Sequence, residues 1–170
     1  MQLDRLMIAN GWTQEITPDM LQSYEIVDKL QMVFKLRPGI KMHPTPPASG
    51  RIFNAKDVAY GLMRKAGKLD PEKAAVEYAR AGQFIGMEKA EAVDDLTVRV
   101  TFSSPNGSIL NALSDPRANM PPVEMEDIGW KDSMKTNGTG AWIMTEDLEG
   151  SRRVFDQVVP PVTHRCTSLR

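Results

Sequence analysis

The sequence predicts a mixed α/β fold of the α+β kind, built mostly from antiparallel hairpins with two or three helices. Two segments alternate apolar and polar residues beside a tight turn, which is the pattern of half-buried strands in hairpins. A third hairpin is indicated by an apolar stretch that a polar turn follows. Two further segments open with residues that cap helix N-termini. Hydrophobic residues make up 41% and charged residues 25% of the 170 residues, and this ordinary globular composition argues against wholesale disorder or a coiled coil.

The first hairpin is predicted over residues 24–37. Asp28-Lys29 provides a plausible tight turn, and Pro38-Gly39 ends the second strand. Every second residue along this second strand is apolar, at Leu30, Met32, Phe34 and Leu36. One face of the strand is therefore expected to be buried.

A proline-rich segment, residues 43–50, follows this hairpin. Its three prolines, Pro44, Pro46 and Pro47, predict an extended and stiff connector. The spacing from Pro44 to Pro47 is also that of ligands for aromatic-lined grooves. A stand-alone protein-interaction module is therefore kept as an alternative function.

The helices are predicted from their start signals. Asn54, with Asp57 three residues later, forms an acidic variant of the capping box. The face of the helix that follows carries Val58, Leu62 and the stem of Lys65, and the helix is expected to stop at Gly67. Asp70-Pro71-Glu72 repeats the start signal and predicts a second helix over residues 73–81.

The second hairpin has strands at residues 88–93 and 96–102 around the turn Asp94-Asp95. Its second strand has the clearest alternation in the chain. A short helix is predicted over residues 108–113, and the prolines of residues 115–127 predict a long loop.

The third hairpin follows Gly138-Thr139-Gly140 and has strands at 141–145 and 152–155 around a polar turn. This glycine run resembles part of a phosphate-binding loop, but that motif requires a lysine and a helix directly after the glycines. Here no lysine follows, and the next segment is a strand. Tight backbone packing at the entry to the strand is the interpretation we adopt.

Composition argues against several classes of chemistry. Lys and Arg total 21 against 22 Asp and Glu, so no basic excess indicates a nucleic-acid partner. The single cysteine, Cys166, rules out an internal disulfide framework and any cysteine-rich zinc site. With only His43 and His164, a histidine-based metal site is not expected, and neither is a cofactor.

No residue is predicted to be catalytic, so the chain is expected not to be an enzyme. Asp94 and Asp95 are adjacent in a turn and cannot flank one bond. Neither histidine lies near a nucleophile motif. The tryptophans Trp12, Trp130 and Trp142 are expected to anchor the core rather than to form ligand platforms, and the ligand-binding residues stay unknown.

Five blocks, in the same order along the chain, resemble the patterns of one family. They are Ile8-Ala-Asn-Gly-Trp12 (L-A-x-S-W), Met32–His43 (Y-T-F-x-L-R-x-G-V-K-F-H), Pro46–Tyr60 (P-x-N-G-R-x-F-T-A-x-D-V-x-Y), Glu91–Phe102 (V-x-x-x-D-x-Y-T-V-x-F-x-L) and Asn137–Trp142 (G-T-G-P-Y). The sequence departs from them at Gly11, where serine is usual, and at Ala141-Trp142, which replaces Pro-Tyr. The family is that of the extracytoplasmic solute-binding proteins of peptide- and nickel-type ABC transporters, family 5.

The resemblance implies part of lobe 1 of a periplasmic-binding-protein type II fold. The organisation it implies is an edge of the main lobe (residues 1–23), an accessory subdomain of lobe 1 (24–145), a return strand toward the main lobe (146–157) and an unmatched, disordered tail (158–170). The implied function is that of the substrate-binding component of an ABC importer, which captures a peptide or other small solute and delivers it to an ABC permease. Since family members are much longer, the chain would be a truncated fragment that does not bind solute tightly alone. The alternative stays an interaction module with no transport role, which would use the Pro44–Pro47 loop or an exposed face that packs on the main lobe in longer family members.

The resemblance also implies a periplasmic location, or a membrane-anchored one outside the cytoplasm. Asp4 and Arg5 stand where an export signal needs apolar residues, and no window approaches the roughly 18 apolar residues of a membrane span. As written, the chain itself would be expected to stay in the cytoplasm.

Overall fold

The computed structural model describes residues 4–69, 81–125, 137–148 and 150–158. In these ranges the strands are β1 (Met7–Ala9), β2 (Ile16–Pro18), β3 (Leu21–Asp28), β4 (Gln31–Leu36), β5 (Met87–Ala92), β6 (Thr97–Phe102), β7 (Trp142–Leu148) and β8 (Arg152–Gln157). The α-helices are α1 (Ala55–Lys65) and α2 (Ile109–Ser114), and Ala81–Phe84 forms a 3₁₀ helix. Antiparallel sheets with a few helices are the fold class that the sequence predicts.

A four-stranded antiparallel sheet in the order β3-β4-β6-β5 joins the first two predicted hairpins. The hairpins meet where β4 pairs with β6, which places Phe34 opposite Val98 and Met32 opposite Val100. All four side chains are buried on one face of the sheet, because cross-strand partners point to the same side. The alternation along both strands therefore correctly predicts which face is buried.

Two details of the first hairpin differ from the prediction. Its first strand begins at Leu21 rather than at residue 24. Leu30 is 40% exposed, because it belongs to the turn between β3 and β4 and not to the strand. The turn itself is stabilised by Asp28, whose Oδ1 accepts a hydrogen bond from the Leu30 backbone N–H at 2.7 Å.

Helix α1 packs on the buried face of the sheet, mainly against β5 and β6. Its capping box is present as predicted, since the Asn54 side chain accepts from the Lys56 N–H at 3.0 Å and Asp57 accepts from the Asn54 N–H at 3.0 Å. The helix also lies close to Met120 at Gly61. A Cβ added at this glycine would be only 2.9 Å from the Met120 sulfur. Glycine at this position allows the helix and the 119–122 segment to approach closely.

Several predicted elements need correction. The sequence does not predict the β1–β2 hairpin, whose three-residue strands are too short to show a periodic pattern. Strand β7 continues to Leu148, through residues expected to form the polar turn. The helix predicted over 73–81 lies outside the described residues except for Ala81, which opens the 3₁₀ helix.

The proline-rich segment is a closed loop and not the extended connector that its prolines suggest. The Ser49 N–H donates to the Thr45 carbonyl at 2.9 Å, and the Gly50 N–H donates to the His43 carbonyl at 2.8 Å. Gly50 closes the loop at φ +79°, a conformation that glycine adopts without strain. Hydrogen bonds across the loop therefore override the stiffness of the individual prolines.

Among the residues that the structure covers, no helix has the length and apolar character needed to cross a membrane.

Candidate functional site

In the described part of the chain, an extensive polar site joins Arg51, Asp57 and Glu124. The Arg51 guanidinium donates to both carboxylate oxygens of Asp57 at 2.8 and 2.6 Å, and to both of Glu124 at 2.7 and 2.6 Å. Its Nη1 also donates to the Ile52 carbonyl at 3.1 Å. All five N–H donors of a guanidinium are thereby used, so Arg51 is committed to the fold and has none left for a solute.

The hydrogen bonds of this cluster favour the charged forms of both Arg51 and Glu124. Hydrogen bonds to Asp57 and then to Glu124 raise the pKa of Arg51 well above its ordinary value. The hydrogen bond from Arg51 lowers the pKa of Glu124. The Asp57 side chain is only 1% exposed, and besides Arg51 it accepts from the backbone N–H groups of Asn54 and Val123.

A second polar site, the His43 junction, ties residues 43–45 to residues 137–140. The His43 backbone N–H donates to the Gly138 carbonyl at 2.7 Å, and its Nε2 lies 2.8 Å from the Gly140 carbonyl oxygen. Since a carbonyl can only accept, Nε2 carries the ring proton. Burial lowers the pKa of His43, so the ring is neutral at pH 7.

Asn137 and Thr139 complete the His43 junction. The Asn137 amide donates to the Thr45 carbonyl at 2.6 Å, and the Thr139 hydroxyl donates to the Asp4 carboxylate at 3.2 Å. His43, Asn137, Thr139 and Asp4 are all buried. His43 Nδ1 and Asn137 Oδ1 are buried atoms that receive no hydrogen bond within the described part of the chain.

This arrangement agrees with the packing role inferred for Gly138-Thr139-Gly140. Its carbonyls accept hydrogen bonds from His43, and β7 begins two residues later at Trp142. No helix N-terminus follows that could receive a phosphate. His43 is held by the same carbonyls and its side chain is buried, so the geometry is that of a histidine packed into the fold.

Two of the three tryptophans are not core anchors, contrary to the prediction. Trp12 is 97% exposed and Trp142 is 43% exposed, while Trp130 lies outside the described residues. Trp12 sits in the loop between β1 and β2, where the Asn10 side chain accepts from the Trp12 and Thr13 N–H groups and forms a tight turn. Hydrophobicity alone misplaces it, because the turn directs this part of the chain to the surface.

The other candidates are placed as follows. Asp94 is fully exposed in the β5–β6 turn, where a hydrogen bond from the Leu96 backbone lowers its pKa. In residues 4–69, 81–125, 137–148 and 150–158, no three His, Cys, Asp or Glu side chains cluster in a way that could hold a metal ion. His164 and Cys166 fall outside these ranges.

The interaction-module alternative relied on the spacing of Pro44 and Pro47. The loop that carries them closes on itself through the Gly50–His43 hydrogen bond. An aromatic-lined groove instead binds an extended polyproline II segment. The structure therefore offers no support for the proline-loop form of this alternative.

Comparison with known proteins gives a consistent result. The sequence model of the bacterial extracellular solute-binding proteins, family 5 (middle), matches residues 15–157. Four of the five blocks quoted above lie within this range, whereas Ile8–Trp12 lies outside it.

The relatives and a solved structure extend this match. The glutathione-binding protein GsiB of Pectobacterium atrosepticum is 34% identical over 131 residues, which cover 73% of this chain and 23% of the relative. Heme-binding protein A of Haemophilus influenzae is 29% identical, over 95% of this chain and 31% of its own length. Both relatives are named as binding proteins. The periplasmic binding protein DppA of Helicobacter pylori, solved with the peptide STSA, superposes with a TM-score of 0.75 at 24% identity, over 92% of this chain and 33% of that one. The chain thus spans less than two-fifths of the length of the proteins it matches.

Proposed function

The chain belongs to family 5 of the bacterial extracellular solute-binding proteins, and we propose from this that it supplies part of lobe 1 of an ABC-importer receptor. The receptor would capture a peptide-like solute outside the cytoplasm and deliver it to an ABC permease. The observation that carries the proposal is the family match over residues 15–157. The glutathione-binding relative, whose named ligand is itself a tripeptide, supports the peptide-like solute class.

The proposed organisation keeps residues 24–145 as an accessory subdomain of lobe 1, with 1–23 at an edge of the main lobe. The β7–β8 hairpin supports a contact of residues 146–157 with the main lobe. In the described residues this hairpin pairs with no other strand, and it exposes Trp142, Leu148 and Phe155. A two-stranded hairpin is only marginally stable in water, so a covering surface elsewhere in the receptor would stabilise it.

The proposed mechanism is non-enzymatic closure of two lobes over the solute. Binding by such a receptor depends on removing the solute from water on both sides. We therefore expect the isolated 170-residue chain not to bind di- to pentapeptides with micromolar affinity in isothermal titration. Micromolar binding would show that this part of the chain forms a complete site.

A chimera tests the assignment directly. Residues 15–157 would replace the matched segment of the Pectobacterium GsiB receptor, and glutathione binding would be measured by calorimetry. If this segment is an equivalent part of a receptor lobe, the chimera folds and binds glutathione within about tenfold of the parent, a difference of about 1.4 kcal/mol. A chimera that fails to fold, or that folds with the parent's circular dichroism but does not bind, would overturn the assignment.

The design includes a matched pair of variants. The Arg153–Asp147 ion pair lies on the β7–β8 hairpin, and the Lys89–Glu91 pair lies on the exposed edge strand β5. If the hairpin contacts the main lobe, Arg153→Ala should lower the thermal stability of the chimera more than Lys89→Ala does. Equal effects would count against a contact between the hairpin and the main lobe.

A further inference from the structure

A cavity of about 190 Å³ opens at the end of the sheet where β3 turns into β4. Its walls come from this hairpin, from the end of β6 at Phe102, and from residues 105–110. Strand β4 runs away from the cavity, from Gln31 to Leu36, and the chain continues from there to His43. The cavity therefore lies at the Gln31 end of β4, whereas the chain leaves toward His43 from the Leu36 end.

The interior of the cavity is apolar and continuous with the core. Met32, Phe102 and Ile109 line it and are almost completely buried by the fold. Ile26, which also lines the cavity, is 63% exposed. The folded chain thus leaves an apolar cavity wall in contact with water. Small-molecule sites in proteins are usually preformed cavities with such an apolar lining.

Two opposite charges also line this cavity. Asp28 and Lys29 are adjacent in the β3–β4 turn. The hydrogen bond from Leu30 to Asp28 Oδ1 fixes the carboxylate, while its other oxygen receives no hydrogen bond from the described residues. Lys29 forms no ion pair within the described part of the chain.

The wall opposite the hairpin is held by Asn106. Its amide donates to the carbonyls of Gln83 and Ile85 at 3.2 and 3.0 Å. Its Oδ1 accepts from the backbone N–H and the hydroxyl of Ser108 at 3.1 and 2.9 Å. These bonds within the chain fix the 105–108 turn, so that little ordering is required when a ligand binds.

We propose that this cavity binds a free α-amino acid with an aliphatic side chain, such as leucine or methionine. The side chain occupies the apolar interior, the ammonium group faces Asp28, and the carboxylate faces Lys29. The cavity, at about 190 Å³, is smaller than the roughly 300–1,000 Å³ of pockets that enclose drug-sized ligands, so it suits a single amino acid better than a peptide of several residues. The site does not depend on the proposed function, because every residue that lines it belongs to this chain.

Titration of the 170-residue chain with L-leucine, followed by NMR or calorimetry, tests the proposal. For so small a ligand we expect saturable binding with a Kd on the order of 1 mM. Glycine, which lacks the side chain, should not saturate. Isocaproate and isopentylamine each keep only one charge and should bind roughly two- to fivefold more weakly than leucine. Equal binding of glycine and leucine, no saturation by leucine, or tighter binding of leucyl-leucine would each overturn the proposal.

Two glycine variants provide a matched pair. Gly107 lines the cavity, Gly11 lies in the β1–β2 loop, and a Cβ added at either meets no atom within 4 Å. Neither residue has a positive φ, so both should accept leucine with circular dichroism like that of the parent chain. Gly107→Leu should fill the cavity and abolish leucine binding, whereas Gly11→Leu should bind as the parent does. Equal binding by the two folded variants would contradict the location of the site.

A charge variant tests the orientation of the ligand. Lys29→Gln should weaken the binding of leucine and isocaproate and leave that of isopentylamine unchanged, because only the carboxylate faces Lys29. A uniform loss for all three probes would contradict this orientation.

Discussion

Replacing Asp57 with alanine perturbs an extensive polar cluster of the fold. The carboxylate accepts two hydrogen bonds from Arg51, one from the Asn54 N–H and one from the Val123 N–H. It therefore connects the start of α1 with two segments that lie outside the helix. Alanine removes all four hydrogen bonds and supplies no replacement.

The expected cost follows from these contacts. The two backbone N–H groups that lose their acceptor are part-buried. The loss of each hydrogen bond lowers the free energy of unfolding by roughly 0.5–1 kcal/mol. The lost pairing with Arg51 costs about 1–2 kcal/mol more, which is below the value for a fully buried pair because Arg51 is 29% exposed and keeps Glu124. The free energy of unfolding should therefore fall by about 3 kcal/mol. At a urea m-value of roughly 2 kcal/mol/M, the unfolding midpoint falls by about 1.5 M.

Urea unfolding followed by circular dichroism measures this change, with Glu124→Gln as the matched control. Glu124 pairs with the same guanidinium, but its side chain is 33% exposed, so the control should cost no more than about 1 kcal/mol. Asp57→Asn should fall between the two, because it keeps one acceptor oxygen and loses the charge. If Asp57→Ala cost less than the Glu124 control, the importance assigned to the buried carboxylate would be wrong.

Three further perturbations test the polar interior and one turn. Burial lowers the pKa of His43. Below about pH 6.5 the unfolded chain therefore binds a proton at this ring more readily than the folded chain does, and the Tm should fall as the pH decreases. His43→Gln should reduce this fall. Burial also lowers the pKa of Lys65 to about 7, so stability to urea should rise between about pH 7 and pH 10, and Lys65→Met should remove this rise. Gly86→Ala should cost roughly 2 kcal/mol or more, because its φ is +81° and an added Cβ would lie 2.7 Å from the Ser104 hydroxyl oxygen. Gly82→Ala, where an added Cβ meets nothing, should be neutral or stabilising in the same urea assay.

Each of these predictions has an outcome that contradicts it. A parent chain whose Tm falls on acidification no more than that of His43→Gln would show that the buried ring does not resist protonation. A Lys65→Met variant with the full alkaline rise would assign that rise to another group. Equal stabilities of the Gly86 and Gly82 variants would mean that the Ser104 segment moves aside at little cost.

The sequence predicts most correctly where the determinants are local. The alternation through Phe34 and Val98 identifies the buried face of the central sheet, because strand side chains alternate with a period of two. The Asn54–Asp57 capping box marks the start of α1 within a residue. Lys65 is buried, which agrees with the prediction that its stem lies on the same helix face as Val58 and Leu62.

The same reasoning fails where tertiary contacts decide. Trp12 is apolar enough for a core, but the Asn10 turn places it in solvent. Arg51 and Glu124 lie 73 positions apart, and His43 and Gly140 lie 97 apart. No periodic pattern connects residues at such separations. The Arg51 cluster and the His43 junction therefore cannot be predicted until the sheet and α1 have fixed the positions of the loops that carry these residues.

Both of these sites involve one segment, residues 43–57, and the distant partners that His43 and Arg51 bind come later in the chain. His43 bonds to Gly138 and Gly140, and Arg51 bonds to Glu124. Closing loops of this length costs conformational entropy that grows only slowly with length, so a few charge-assisted and buried hydrogen bonds suffice to fix the later segments. The His43 junction also fixes the start of β7, where the Ala141 carbonyl accepts from the Val158 N–H at 2.9 Å and ties both ends of the last hairpin together. The buried His43 ring therefore helps to set the direction in which this hairpin leaves the fold.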